Sequence, residues 1–117
     1  MRFLSIWKGV ESDAPPTEEE MAQMGQFIEE MSRNGKLLAT EGCLSSARGA
    51  RVRLSNGKVT VTDGPFTESK EVVGGFALLE AASKPEAIEL AKCFLAVAGD
   101  GECEVRELYE VPALAAR

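Results

Sequence analysis

Apolar and polar positions alternate along this chain in two rhythms. In RFLSIWK, residues 2–8, the period is two. Leu4 and Ile6 fall on one side and Phe3, Ser5 and Trp7 on the other, which predicts a strand. VVGGFALLEA, residues 72–81, repeats the pattern, with Phe76, Leu78 and Glu80 opposite Gly75, Ala77 and Leu79. Shorter strands are predicted at KLLATEG, residues 36–42, and ECEVRELYE, residues 102–110, while CLSSARGA reads as loop. In RVRLSNGKVTVT the alternation runs outward from Asn56-Gly57, the favoured pair for a two-residue type I′ turn. That turn predicts a hairpin pairing Leu54 with Val59 and Val52 with Val61 on one face. Arg53 pairs with Thr60 and Arg51 with Thr62 on the other.

The second rhythm is helical. Met21, Met24, Phe27, Ile28 and Met31 recur at helical spacing behind Thr17, whose side chain and that of Glu20 form a capping-box pattern. Glu18, Glu19 and Glu20 suit the positive end of that helix, and Asn34-Gly35 stops it. The three methionines are expected in the core. A second helix starts at Ser83, with Pro85 in its first turn and Glu86 placed for another capping box. Ala87, Ile88, Ala91, Phe94, Leu95 and Ala98 form its expected buried stripe, and Gly99-Asp100-Gly101 ends it.

The order is therefore β-α-β, hairpin, β-α-β. It predicts a single α+β domain over residues 1–110 with a short tail at 111–117. The plan is ferredoxin-like, an antiparallel sheet with both helices on one face. Its strands are apolar on both faces, so the second face needs a cover. The simplest cover is a second copy, giving a homodimer in which two sheets pack as a dimeric α+β barrel.

Composition narrows the function. The chain has 117 residues, 13 Lys and Arg against 19 Asp and Glu, and a formal net charge of −6. Such a charge repels phosphate backbones and argues against nucleic-acid binding. No apolar run approaches the roughly 18 residues of a membrane span, and the N-terminal segment lacks a leader pattern, so no membrane partner and a cytoplasmic location are expected. Cys43, Cys93 and Cys103 show no C-x-x-C spacing and are expected as buried, reduced thiols. The chain has no histidine. That removes His-based triads and His-ligated metals, and neither a metal nor another cofactor is expected.

The candidate chemistry lies in VTDGPFTESKE, residues 61–71. One reading is a turn: Asp63 bonds nearby amides, Gly64 supplies an unusual φ, Pro65 fixes the exit and Phe66 plugs the sheet end. The other makes Asp63 an acid or base in a partly dry pocket, with Glu68 or Glu71 as a second carboxylate. Arg106 is a candidate for an anionic ligand, against a simple salt bridge to a neighbouring Glu. Trp7 and Tyr109, like Phe66, are candidate pocket residues, against packing in the core or dimer.

VTDGPFTESKEVVGGFALLE resembles the DGPF-domain proteins of the YCII-related (YciI-like) family. Asp63, Gly64, Pro65, Phe66, Glu68, Lys70, Glu71, Gly75 and Phe76 carry the likeness, which extends over about residues 1–110. The resemblance implies dimeric α+β barrels of unassigned activity, often encoded beside extracytoplasmic-function sigma factors. It also implies a first-helix His paired with Asp in some relatives; here that helix carries Met21, Met24 and Met31 instead. Two functions follow as expectations: a small-molecule-binding protein or small enzyme using a carboxylate near the DGPF loop, or a regulatory accessory of a sigma factor.

Overall fold

The computed structural model describes residues 1–12 and 14–110; the expected tail at 111–117 lies outside them. Six strands and two helices follow in the order β1 (Arg2–Gly9), α1 (Glu18–Arg33), β2 (Leu37–Gly42), β3 (Ala50–Ser55), β4 (Lys58–Asp63), β5 (Val72–Glu80), α2 (Lys84–Ala98) and β6 (Glu102–Glu107). A 3-10 turn, Ser46–Arg48, lies inside the segment expected as loop. The last strand ends three residues short of its expected limit.

Four strands form one antiparallel sheet in the order β2-β5-β1-β6, and β3-β4 stand apart as a two-stranded hairpin. The hairpin register is the one that Asn56-Gly57 dictates, with Leu54 opposite Val59 and Val52 opposite Val61. Asn56 and Gly57 both take positive φ, 51° and 77°, as a type I′ turn requires.

β1 and β5 run antiparallel with Phe3 opposite Leu79 and Ser5 opposite Ala77 on one face, and Leu4 opposite Leu78 and Ile6 opposite Phe76 on the other. The helices cover the first face. Ile28 and Met31 of α1 and Leu90 of α2 pack against a core of Phe3, Leu37, Leu79, Ala81 and Ala87. The helices also touch each other, Phe27 against Phe94 with ring centroids 6.4 Å apart.

The caps follow the sequence closely. Glu20 N–H donates to Thr17 Oγ1 at 3.1 Å, and Thr17 N–H donates to the Glu20 carboxylate at 3.0 Å, closing the box. At α2 only half forms. Glu86 N–H donates to Ser83 Oγ, but the Glu86 carboxylate accepts from Lys36 Nζ at 2.6 Å. A charged partner just before β2 wins over a neutral amide of its own helix start, because charge-assisted hydrogen bonds are about twice as strong.

Two expectations about burial are corrected. No residue of α1 is fully buried, and Met21 is 54% exposed. In α2 only Ala87 and Ala91 are buried, while Ile88 faces outward. Helical periodicity tells which side faces inward, not how closely the helix approaches. Here α1 stands off the sheet. The thiols also differ: all three are free, but Cys43 and Cys93 are exposed and Cys103 is half-buried. Cys43 follows β2 at the sheet edge and Cys93 sits on the outer side of α2, away from the core.

Candidate functional site

The gap beneath α1 is a cavity of about 550 Å³. Its floor is the helix-facing side of β1, β2 and β5, including Ser5, Thr40 and Ala77; its walls come from α1 and α2, including Met24 and Phe94. It extends to the pole of the sheet where β1 and β2 end and β5 begins, at Trp7, Gly42 and Gly74.

Trp7 shapes that pole, and backbone rather than side chains holds it. Between Trp7 and Lys8 the register with β5 slips by one residue, leaving Gly74 as the extra residue of a bulge. The indole lies on Gly74, where a Cβ would fall 2.4 Å from the ring, and on Gly9 and Gly101, where one would fall 2.6 and 2.5 Å away. A side chain at any of the three would displace the ring. Trp7 Nε1 is buried with no hydrogen-bond partner among the described residues, so packing alone orients it.

The polar groups of the cavity are few. The Thr40 hydroxyl donates to the Phe76 carbonyl at 2.8 Å. Ser5 is 6% exposed and lies beside the Cys103 thiol. Burial pushes that thiol up from its ordinary value, against a smaller downward pull from Ser5, which keeps it protonated. Glu20 is the acidic residue of the lining on the helix side, while Glu41, opposite Phe76, is turned to the other face of the sheet. Hydrogen bonds from the Thr17 backbone and side chain hold Glu20 below the ordinary carboxylate value.

The DGPF loop lies beside this pole as a clasp between three segments. Glu11, in the loop after β1, accepts from Ser46 N–H at 2.5 Å and from the Ser46 hydroxyl at 2.7 Å. The same Ser46 oxygen accepts from Phe66 N–H at 3.0 Å. Gly64 N–H donates to the Gly49 carbonyl at 2.9 Å, and the Gly64-Pro65 peptide is cis. Gly64 does not take a positive φ, contrary to the expected reason for it. It is needed for space, since a Cβ there would fall 1.6 Å from the Ser46 carbonyl oxygen. Neither Glu11 nor Ser46 was singled out by sequence, because the clasp joins positions 11, 46 and 66 with no spacing signal.

The other candidates are spread over the surface. Asp63 is exposed at the end of β4 opposite Ala50, outside the cavity lining, and its side chain makes no hydrogen bond among the described residues. Phe66 is half-buried beneath Arg51, whose guanidinium carbon lies 3.9 Å from the ring centroid. The same guanidinium pairs with Glu68 and donates to Ser69 Oγ at 3.1 Å. The Glu68 backbone amide and then Arg51 hold the Glu68 carboxyl below its ordinary value, the opposite of what acid–base work near neutral pH requires. Glu71 is exposed, near enough to Lys8 to favour its charged form slightly.

Arg106 lies on β6 opposite Leu4, on the face turned from the helices, where Nη1 donates to Glu104 at 3.2 Å. Glu104 is also 2.9 Å from Lys8 Nζ. It raises Lys8 above its ordinary value, and Lys8 and then Arg106 hold Glu104 below its own. Tyr109 is 87% exposed beyond β6, so of the aromatic candidates only Trp7 lines the cavity.

Residues 1–112 match the family model of the YCII-related domain. The chain belongs to the YCII-related family. Over 75 residues it is 39% identical to an uncharacterized protein of Rhizobium meliloti (strain 1021), a match covering 63% of this chain and 60% of that relative. Among the described residues no helix is long and apolar enough to cross a membrane. The sequence signal for the cavity was the methionine stripe itself, Met21, Met24 and Met31. It was read as core, and Gly25 inside it was passed over.

Proposed function

We propose that this YCII-related protein binds a small, largely apolar ligand in the cavity between α1 and the sheet. One observation carries the reading: a helix with an apolar stripe stands off its sheet over about 550 Å³. Ligand sites are typically concave, of roughly 300–1,000 Å³, and apolar with a few placed polar groups. Ser5 and Thr40 on the floor are such groups, and methionines supply an adaptable wall. Asp63 lies outside this cavity, so the reading assigns it no acid–base step.

Trp7 is the single tryptophan, and it lines the cavity. Titration with the apolar dye Nile red is expected to quench Trp7 emission saturably, at one dye per chain. Gly25 also lines the cavity, and a Cβ there meets nothing within 4 Å. Gly25→Leu is therefore expected to fill the space and abolish quenching. It should also raise stability by about 0.5–1 kcal/mol, the usual gain on replacing a helical glycine. Unchanged quenching in Gly25→Leu would refute the placement of the site.

We further infer a homodimer, with the ferredoxin-like plan closed into a dimeric α+β barrel. Leu4, Ile6, Phe76 and Leu78 occupy the sheet face that the helices leave open. On the separate hairpin, Val52, Leu54, Val59 and Val61 are 61–71% exposed. Two-stranded hairpins are marginal alone, and patches of this kind mark interaction surfaces. Sedimentation equilibrium at micromolar concentration is expected to give twice the monomer mass, and Ile6→Glu to give the monomer. A wild-type monomer would overturn the dimer and leave the cavity reading untouched.

A further inference from the structure

We propose that the cavity under α1 selects against negative charge: its ligand is a neutral or cationic apolar molecule whose hydrogen-bonding group meets the Ser5 hydroxyl. This rests on the binding reading above and narrows its ligand class.

The lining contains no lysine and no arginine among the described residues, while Glu20 belongs to it. An anion entering such a space would lose its hydration without gaining a counter-charge, and burial of an unpaired charge is strongly unfavourable. The cations of the neighbouring strands do not help. Lys8 pairs with Glu104 and Glu102, and Arg106 with Glu104, opposite Ile6 and Leu4 on the far face of the sheet. Lys36 is held by Glu86.

The positive end of α1 is also masked. Three glutamates occupy its first turn, and Glu20 N–H is already bonded to Thr17. Among the described residues, no lysine or arginine side chain faces the cavity.

Ser5 supplies the complementary preference. It is a buried hydroxyl on the floor, with Ala77 and Val105 opposite it on the adjacent strands. Its neighbour Cys103 is an uncharged thiol, a weak hydrogen-bonding partner. A hydroxyl whose polar neighbour is only a thiol retains capacity for a ligand donor or acceptor. The Thr40 hydroxyl, in contrast, is spent on the Phe76 carbonyl.

The test is calorimetric titration of the full chain with three probes on one skeleton: 2-naphthylmethanol, 2-naphthylmethylammonium and 2-naphthoate. The alcohol and the ammonium are expected to bind at least about tenfold more tightly than the carboxylate, since like-charge juxtaposition is costly. Ser5→Ala is expected to weaken the alcohol about fivefold, one hydrogen bond's worth, and to leave naphthalene itself unchanged. Glu20→Gln, in which glutamine still serves the capping box, is expected to reduce the discrimination against the carboxylate. Equal or tighter binding of 2-naphthoate by the wild type overturns the charge preference while leaving the cavity reading intact. Binding of none of the three, with Nile red also failing to quench Trp7, overturns both.

Discussion

Gly64→Ala is expected to destabilise the protein by about 3 kcal/mol, at the upper end of overpacking effects. The position tolerates an alanine backbone, since its φ is not in the left-handed region. The cost is one of contact. The new methyl would fall 1.6 Å from the Ser46 carbonyl oxygen and 2.6 Å from its carbon. Both are backbone atoms, so no rotamer change relieves the overlap. The DGPF loop must move from the 3-10 turn, which breaks the Gly64-to-Gly49 and Phe66-to-Ser46 hydrogen bonds and uncouples Glu11. Urea unfolding gives the number directly. A shift below about 0.5 kcal/mol, the ordinary range for surface changes, would show that the loop does not depend on that contact.

Phe3→Ala is expected to cost about 3–5 kcal/mol, as for other buried aromatics. Phe3 is 1% exposed and is the only large side chain among the described residues that is fully buried. Its neighbours in the core are two leucines and two alanines. The alanines cannot refill a lost ring, and the leucines, Ile28 and Met31 around them can close the hole only in part. Domains of this kind are stable by about 5–15 kcal/mol in total, and the cavity beneath α1 occupies volume that a packed core would otherwise use. A loss below about 1.5 kcal/mol in urea titration would mean that the core collapses around the gap.

Much of the fold was legible because its signals are local. Asn56-Gly57 set the hairpin register, and Thr17 with Glu20 set the start of α1; both elements follow from a few adjacent residues. Strand alternation correctly separated Phe3 and Leu79 from Leu4 and Leu78. The site was less legible because it is made of distances between segments. Gly64 is required by Ser46, eighteen positions earlier, and the Trp7 indole by glycines at 9, 74 and 101. The methionine stripe of α1 has the same sequence pattern whether the helix is packed tight or stands away. Cys43 and Cys93 fail for a related reason: thiols are buried on average, and an average says nothing about a particular sheet edge or helix flank.

The cavity thus has two kinds of wall. At the Trp7 end, an indole rests on bare main chain from three separate segments, and no rotamer change can alter it. Along α1, thioethers with several rotatable bonds and a vacant Cβ position at Gly25 leave the surface free to rearrange. One half acts as a fixed gauge for the shape of whatever enters, the other as a mould that takes its impression. Differences in what the cavity accepts are therefore encoded on α1, where a substitution reshapes the mould without disturbing the gauge.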